Sequence, residues 1–446
     1  MDTPICDFVR RYADSDTLRL HMPGHKGKPF LGMEHLDITE IRGADSLYEA
    51  EGIIARSEAN ASRLFGCRTL YSTEGSSQCI RAMLYLALIH AKQQGKQPLI
   101  AAARNVHKTF LSAVALLGMD VMWLYPENAE SYLSCAISPQ KLDSLLQSVE
   151  QKPAAVYLTS PDYLGNIAPV KEIAAVCHRH GVLLLVDNAH GAYLRFLEES
   201  VHPVDLGADL CCDSAHKTLP VLTGGAYLHI SSTVPAHIAE QAKNALGLFG
   251  STSPSYLILQ SLDQANAYLE GHQDRLHSFL PEVDRLKQAL SAHGYCLTGE
   301  EPLKITIAPK NYGYTGMELA QFLRSRNIEC EFADPDFLVL MLTPEITERD
   351  FRLIKNALLS VPQRPPVSQQ PPKLPAGQKR LSVREAMLSL GESVPVSESE
   401  GRILAAASVG CPPAVPILVC GEEINRDTIR CFGYYGIENV TVIAAK

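Results

Sequence analysis

Apolar and polar residues follow two different periods between about residues 70 and 230. Apolar runs of four to six residues, typical of strands buried on both faces, alternate with longer stretches whose apolar residues recur every three or four positions. The predicted strands are Pro98–Ala102, Asp120–Tyr125, Ala154–Thr159, Val182–Asp187, Leu210–Asp213 and Gly225–Ile230. The predicted helices between them are Ser76–Gln93, Lys108–Leu117, Pro139–Gln151 and Pro169–His180. This alternation predicts an α/β fold with a mostly parallel sheet.

The pattern changes after about residue 260. Helical and strand-like stretches no longer alternate regularly there, which is typical of a smaller α+β domain. The predicted helices are Ser255–Gly271 and Glu282–His293, and the predicted strands are Lys304–Ala308, Glu329–Ala333 and Phe337–Leu342.

A Pro/Gln-rich stretch at 361–377 predicts an extended linker. Beyond it, Ser382 is suited to cap a short helix reaching Leu390, with Glu385 completing a capping box. The segment CPPAVPILVCGEEI then predicts a loop followed by one strand. We therefore predict an N-terminal segment with the large domain at 1–262, a small α+β domain at 263–360, a linker at 361–380 and a C-terminal subdomain at 381–446.

The overall composition narrows the class of protein. The chain has 446 residues and a net charge of −9, which argues against nucleic acid as the main partner. The first residues lack the apolar core of a signal peptide, and no apolar stretch reaches the length of a membrane span. The twelve cysteines show no disulfide framework and no CxxC motif, so we expect reduced thiols, no metal ion and a cytoplasmic location.

Two residues 30 positions apart carry the strongest chemical signal: Asp187 ends the apolar run VLLLVD, and Lys217 lies in DSAHKTL. A lysine amine can form a Schiff base with pyridoxal 5'-phosphate (PLP). A strand-terminal carboxylate can keep the pyridine nitrogen of that cofactor protonated, so that the ring withdraws electrons from a substrate. Taken singly, such a lysine is more often a solvated surface residue and such an aspartate a helix cap or a solvated strand end. Together, in this order, they favour a PLP site.

A second segment predicts a phosphate site. In YSTEGSSQCIRAM, a strand-like stretch gives way to Gly75, Ser76 and Ser77 and then to a helix. The free N–H groups of the first helical turn and the serine hydroxyls are suited to a phosphate dianion, although Gly-Ser-Ser before a helix is often only a cap. Ser214 and His216 in DSAHKTL are further candidates for the same phosphate.

Two histidines are candidates for positions beside the cofactor ring. His107 in RNVHKTF follows a predicted strand and could stack on the ring, and His190 in DNAHGAY could orient Asp187 or line the pocket. Each is also compatible with an ordinary structural histidine. Lys108 is a rival Schiff-base lysine, but no strand-terminal aspartate lies at the matching place before it.

Taken in order, these segments resemble one known family. HMPGHKG, GADSLYEAEGII, TEGSSQCIRAML, RNVHKT, TSPDYLGN, DNAHGAY and SAHKTL are similar to the motifs of the Orn/Lys/Arg decarboxylases, which are PLP enzymes of fold type I, the aspartate aminotransferase-like fold. The resemblance runs from about residue 20 to 230 and more weakly through the C-terminal part. It implies an enzyme that converts a basic amino acid into an amine and carbon dioxide.

The resemblance also implies a role for each candidate residue. Lys217 is then the Schiff-base lysine, Asp187 the partner of the pyridine nitrogen and His107 the stacking residue. His190 lies near the ring, His216 is counted with the catalytic residues, and the phosphate contacts are Gly75, Ser76, Ser77, Ser214 and His216. Family members are homodimers or assemblies of dimers with a shared active site, so the HMPGHKG loop is expected to reach the neighbouring subunit's pocket.

The chain departs from the family pattern in two places. HMPGHKG begins at His21, so no N-terminal wing domain is expected, nor the higher assembly associated with it. Asn188 stands where many members have the glutamate of DEAHG, which removes a carboxylate near the site. The acidic candidates for reading the distal amine or guanidinium of the substrate are Glu329, Glu331, Asp334 and Asp336.

The reaction and the substrate stay open at this point. The same fold serves aminotransferases and other lyases, and an aminotransferase usually needs an arginine for the substrate carboxylate, for which Arg195 and Arg352 are available. A non-catalytic paralogue would bind PLP without turnover. A plain nucleotide-binding protein is disfavoured because the GxGxxG and Walker motifs are absent. We favour decarboxylation, with arginine ahead of lysine and ornithine because compact members often act on arginine.

Overall fold

The computed structural model describes residues 1–126, 131–375, 377–406 and 414–445. Its α-helices are α1 (Pro4–Ala13), α2 (Ile53–Phe65), α3 (Gly75–Gln93), α4 (Lys108–Leu117), α5 (Pro139–Ser148), α6 (Val170–Arg179), α7 (Ala215–Thr218), α8 (Ala236–Phe249), α9 (Tyr256–Leu269), α10 (His272–His293), α11 (Gly316–Arg324), α12 (Glu348–Leu359), α13 (Val383–Met387) and α14 (Arg426–Tyr434).

The strands are β1 (Arg68–Ser72), β2 (Leu99–Ala103), β3 (Asp120–Leu124), β4 (Ala155–Thr159), β5 (Leu183–Asp187), β6 (Leu210–Asp213), β7 (Ala226–Ile230), β8 (Cys296–Thr298), β9 (Lys304–Ala308), β10 (Phe332–Ala333), β11 (Leu338–Met341), β12 (Gln378–Lys379), β13 (Gly391–Pro395), β14 (Glu422–Glu423) and β15 (Asn439–Ile443). Short 3₁₀ turns cover Glu34–Leu36, Leu47–Glu49, Ala192–Phe196, Pro309–Tyr312 and Val396–Glu398.

The chain forms two compact units, and each is built from two stretches of sequence. The first unit combines residues 1–97 with 170–275. Its strands follow the order β1-β7-β6-β5, with β5 and β6 parallel and β7 antiparallel to both of its neighbours. Every residue of β5, β6 and β7 is buried, which explains why these strands read as continuous apolar runs rather than alternating ones. Helix α3 packs against all four strands and against α8.

The second unit combines residues 98–169 with 276–446. It holds the parallel strands β4-β2-β3 and an antiparallel sheet in the order β10-β11-β9-β8. Two small antiparallel pairs, β12 with β14 and β13 with β15, follow near the C-terminus. They lie beside an apolar cluster that includes Leu404, Leu418, Phe432 and Val442. The α/β architecture with several parallel strands is therefore as predicted, whereas the predicted boundaries at 262, 360 and 380 stay predictions.

Most predicted elements are confirmed to within one or two residues, including the capping box in which Ser382 and Glu385 bond each other's backbone. Helices α5 and α13 end at Ser148 and Met387, each three residues before the predicted ends at Gln151 and Leu390. Three further expectations were wrong. Helix α10 begins at His272 rather than Glu282 and continues through Pro281. Proline removes one backbone donor and leaves a carbonyl one turn earlier unbonded, and that turn contains the exposed His277, where water can satisfy the carbonyl.

The other two errors concern strands. The strand predicted at Glu329–Ala333 is reduced to Phe332–Ala333, because only these two residues pair with β11. The apolar stretch PILV before Gly421 is buried without forming a strand, and only Glu422–Glu423 pair, with β12. Residues 411–413 of that segment lie outside the described residues. Among the helices that the structure describes, none combines the length and apolar character needed to cross a bilayer.

Candidate active site

Lys217 lies just beyond the carboxyl end of a buried strand. Strand β6 ends at Asp213, and the chain then forms the single helical turn α7, which starts with the Lys217 N–H donating to the Ser214 carbonyl at 3.0 Å. The side chain is half-buried, and its Nζ is 3.1 Å from Nε2 of His190. The predicted lysine and one of the predicted histidines are therefore in hydrogen-bond contact.

Asp187 ends the neighbouring parallel strand. The register of β5 with β6 sets Asp187 opposite Cys212, so both strand ends open at the same edge of the sheet, where α/β proteins bind ligands. Asp187 is only 2% exposed, and its Oδ1 accepts a hydrogen bond from the Ala189 N–H at 3.2 Å and a long contact of 3.7 Å from the Cys212 thiol. A buried carboxylate of this kind is suited to a charge-assisted hydrogen bond with a protonated ring nitrogen.

The serines predicted to bind phosphate meet at the start of α3. Ser214 Oγ donates to Ser76 Oγ at 2.8 Å, although the two residues are far apart in sequence. Gly75 has φ of +72° and opens the 19-residue helix, and Ser77 follows in its first turn. A methyl group on Gly75 would meet no neighbouring atom within 4 Å, so the space beside the helix start is open. The Gly75 N–H already donates to the Gly224 carbonyl at 2.7 Å, so the serine hydroxyls, the later N–H groups of the first turn and the helix dipole are what favour an anion there.

The first unit alone provides the kinds of group that are needed to bind PLP. The first unit offers a lysine amine, a buried carboxylate on the neighbouring strand, and an open anion-binding helix start. The Gly75 N–H and two of the predicted histidines make bonds within the protein.

His216 and His107 each make a local bond. His216 Nδ1 donates to the Gly225 carbonyl at 3.0 Å, and burial lowers the pKa of its imidazole. His107 caps α4, where its Nδ1 accepts from the Thr109 N–H at 3.2 Å. His107 belongs to the second unit, and its stacking on the ring stays a prediction, as does the phosphate contact of His216. The rival Lys108 is exposed, which is the less suitable setting for a Schiff-base lysine.

The sequence does not predict a buried hydrogen-bond network that surrounds Asp213, the last residue of β6. The Asp213 carboxylate accepts hydrogen bonds from Nε2 of His202 at 3.1 Å, Nε2 of His229 at 2.9 Å and Nδ2 of Asn188 at 2.7 Å. Burial alone would lower the pKa of His229, but the ionised Asp213 overcomes it and raises that pKa to about 10. The two imidazoles hold the pKa of Asp213 well below its usual range despite burial. The one sequence feature that could have indicated this network is His229, a histidine inside the otherwise apolar strand β7.

Metal-ligating atoms of His202, Cys211 and Asp213 lie within 4.8 Å of one another. We nevertheless interpret the cluster as a hydrogen-bond network. Both carboxylate oxygens of Asp213 already accept bonds, and burial raises the pKa of the Cys211 thiol well above its usual range, which disfavours a thiolate ligand.

Asn188 therefore has a structural role. Its fully buried amide donates to Asp213, directly beside Asp187 in the chain. A glutamate or aspartate at this position would set a second carboxylate against Asp213 without water, which is costly for both groups. The neutral amide at 188 and the carboxylate at 213 are thus complementary.

The two arginines considered for a substrate carboxylate each have an acidic neighbour. Arg195 donates to Asp205 at 2.8 Å, and Arg352 is 3.5 Å from Glu348 on the exposed face of α12. Neither of these contacts involves a residue of the predicted cofactor site.

Comparison with known proteins decides the family. Residues 3–308 match the Orn/Lys/Arg decarboxylase major domain, and residues 371–439 match the Orn/Lys/Arg decarboxylase C-terminal domain. The chain belongs to the Orn/Lys/Arg decarboxylase family. The resemblance inferred from the motifs is confirmed.

Two relatives of this decarboxylase family member align with it over nearly their whole length. It is 30% identical to the uncharacterized protein YaaO of Bacillus subtilis, over 96% of this chain and 93% of that protein. It is 28% identical to an arginine decarboxylase of Halalkalibacterium halodurans, over 96% of this chain and 92% of that protein. The lysine decarboxylase LdcF of Francisella novicida has the same fold, with a TM-score of 0.82 at 17% identity over 99% of this chain and 81% of that one.

Proposed function

We propose that this protein is a cytoplasmic PLP-dependent decarboxylase of a basic amino acid, with arginine as its substrate. The observation that carries the proposal is the contact of Lys217 with His190 beyond the ends of the paired strands β5 and β6, of which β5 ends in Asp187, in a chain of the decarboxylase family. The arginine decarboxylases among its near full-length relatives support the choice of arginine.

The roles of the residues follow from their contacts. When bound, PLP supplies an electron sink for the pair released as the carboxylate leaves. Asp187 would hold the proton on the ring nitrogen, and Ser76 with Ser214 and the N–H groups of α3 would hold the phosphate. Lys217 would hold the cofactor covalently and, once freed, move a proton to the substrate Cα, because its Nζ can exchange that proton with His190 Nε2 at 3.1 Å.

The reaction is tested by supplying arginine, lysine and ornithine separately to the cofactor-loaded enzyme. We expect carbon dioxide and agmatine in equal amounts from arginine, and slower release of diamines from the other two. Mass spectrometry of the products with a keto acid present is the measurement. Amino transfer to the keto acid would identify an aminotransferase, and bound PLP without turnover would identify a non-catalytic paralogue.

We also propose that the chain forms a homodimer through the segment 18–33, which contains HMPGHKG. Leu20, Phe30 and Leu31 in this segment are 82%, 78% and 84% exposed in the single chain. Apolar side chains clustered on one exposed segment are typical of a protein interface.

The oligomeric state is measurable by sedimentation equilibrium of the loaded enzyme. We expect twice the chain mass of 48.8 kDa, or four times that mass for a dimer of dimers. Leu20→Asp with Leu31→Asp should shift the mass toward the monomer, because two charges would have to be buried in the interface. A monomeric natural protein, or a dimer that both charges leave intact, would contradict the proposal.

A further inference from the structure

Two turns that follow β5 and β6 carry His190 and Lys217. The turn after β5 is closed by the Gly191 N–H, which donates to the Asn188 carbonyl at 2.8 Å, and it presents His190. The turn after β6 is α7, which presents Lys217. A side-chain hydrogen bond joins the residues that begin these turns, because Asn188 Nδ2 donates to Asp213 Oδ1 at 2.7 Å. The contact of His190 with Lys217, at 3.1 Å, spans the same two turns.

The amide of Asn188 packs directly against the first turn. It is fully buried, and a methyl group on Gly191 would overlap Asn188 Oδ1, so only glycine leaves room for the amide there. That Oδ1 has no hydrogen-bond partner, which leaves the bond from Nδ2 to Asp213 to orient the amide. The backbone N–H of Asn188 also donates to the Cys212 carbonyl at 2.9 Å. The position of the amide relative to β6 therefore sets the position of the turn.

The Asp213 carboxylate is itself held from two further sides. Its Oδ2 accepts from Nε2 of His202 at 3.1 Å and from Nε2 of His229 at 2.9 Å, and both imidazoles are fully buried. Nδ1 of His229 lies 2.9 Å from the Thr69 hydroxyl on β1, and Nδ1 of His202 accepts from the Val204 N–H at 3.4 Å. Each imidazole is thus fixed at both of its nitrogens, and the carboxylate is fixed with them. We name this group the Asp213 network, which consists of Asp213, Asn188, His202 and His229.

The charges of the network strengthen its bond to Asn188. Burial alone would raise the pKa of Asp213, but the two imidazoles hold that pKa well below its usual range, so the carboxylate is ionised. A hydrogen bond from a neutral amide to an ionised, buried carboxylate is charge-assisted and stronger than one between neutral groups. Removal of the amide donor would leave the buried Asp213 oxygen without that bond, which is costly.

We propose that the Asp213 network positions the turn that carries His190, so that His190 Nε2 stays within hydrogen-bond distance of Lys217 Nζ. Proton exchange between two side chains requires that distance. The members of the network are positioning residues, since they act on the site through the turn. A network that only stabilised the fold would instead leave the rate of a folded variant unchanged. The consequence for turnover rests on the proposed function, whereas the position of the turn is a property of the chain without substrate.

Asn188→Asp tests the network with the smallest change of shape. It sets a second carboxylate at hydrogen-bond distance from Asp213 in a buried site, so repulsion should displace the turn. A displacement of about 1 Å costs roughly 100-fold in rate, so we expect kcat for arginine to fall on that order while KM changes less than about twofold. Asn244→Asp is the matched control, because it makes the same substitution at an exposed position of α8 and should change neither constant.

An exchange of the two side chains provides the rescue. In the double variant Asn188→Asp with Asp213→Asn, the amide nitrogen at 213 can donate to the carboxylate at 188. The amide oxygen at 213 can still accept from His202 and His229, because both imidazoles lie close to Oδ2 in the natural protein. The hydrogen bond is thereby restored in the opposite direction, and we expect kcat to recover at least about tenfold over Asn188→Asp.

A His190→Gln background separates positioning from other effects of the substitution. If the network acts through His190, Asn188→Asp should lower kcat by less than about threefold once His190 is replaced, because the two losses are then not additive.

Hydrogen exchange of the cofactor-free enzyme measures the position of the turn without turnover. The Asn188 carbonyl protects the Gly191 amide, so the peptide that contains Gly191 should exchange at least about tenfold faster in Asn188→Asp. The rate should return toward the natural one in the double variant. Thermal melting identifies variants that do not fold. Should Asn188→Asp be one of them, Asn188→Ala replaces it, because it removes the donor without adding a charge.

The outcomes separate this proposal from the proposed function. Faster exchange at Gly191, together with a loss of kcat that depends on the presence of His190, supports the network's role. Unchanged exchange in Asn188→Asp, or an equal loss of kcat with and without His190, overturns it. If the natural enzyme releases no carbon dioxide from arginine, lysine or ornithine, the proposed reaction is refuted, and the exchange rates at Gly191 still decide whether the network positions the turn.

Discussion

Lys217→Ala abolishes decarboxylation and the covalent retention of PLP. The variant loses the amine that bonds to the cofactor and the group that exchanges a proton with His190. General acid–base catalysis alone contributes roughly 10²- to 10⁴-fold, so we expect turnover to fall by about 10⁴-fold or more once the covalent contribution is lost as well. The fold should persist, because the side chain is only half-buried.

Borohydride reduction followed by peptide mapping measures the covalent bond directly. In the natural protein we expect the label on the peptide that contains Lys217, and in Lys217→Ala we expect none. Lys108→Ala is the matched control, since Lys108 is exposed and lies at the start of α4. It should keep both label and turnover. A label on Lys108, or an active and still yellow Lys217→Ala protein, would refute the assignment.

The sequence predicts the part of this site that follows from strand polarity. Buried parallel strands appear as apolar runs, and their carboxyl ends share one edge of the sheet, so Asp187 and the residues after β6 could be expected to meet. The contact of Ser76 with Ser214 follows from the same reasoning, because both flank strands that α3 covers.

What the sequence does not predict depends on pairings between distant residues. His202, His229 and Asn188 converge on Asp213 from three separate segments, and nothing local in any of them indicates the others. From the sequence alone, Asn188 is therefore interpreted only as the loss of a carboxylate, although its amide binds Asp213. The acidic candidates also have partners that the sequence does not predict. Glu329 pairs with Arg324, Glu331 accepts from Tyr163, and Asp336 pairs with Lys310.

The local sequence pattern also does not predict the division of the chain into two units. Residues 98–169 join the C-terminal half although they continue the strand–helix alternation without a break. Composition marks a linker at 361–377, but no composition change marks where the chain leaves one unit and returns. Contacts far apart in sequence decide such boundaries, and periodicity reports only local structure.

Asp187→Asn should lower kcat on the order of 10³-fold, or about 4 kcal/mol of transition-state stabilisation, while PLP stays bound to Lys217. The amide keeps the shape of the side chain and can still accept from the Ala189 N–H. Its nitrogen donates rather than accepts, however, so residue 187 no longer holds a proton on the ring nitrogen. Stopped-flow decarboxylation of arginine, alongside borohydride labelling of Lys217, is the measurement. Asp205→Asn, which removes an ion-pair partner of Arg195 in the same unit, should retain nearly full activity. Near-normal turnover of Asp187→Asn with an intact Lys217 label would contradict the pyridinium role.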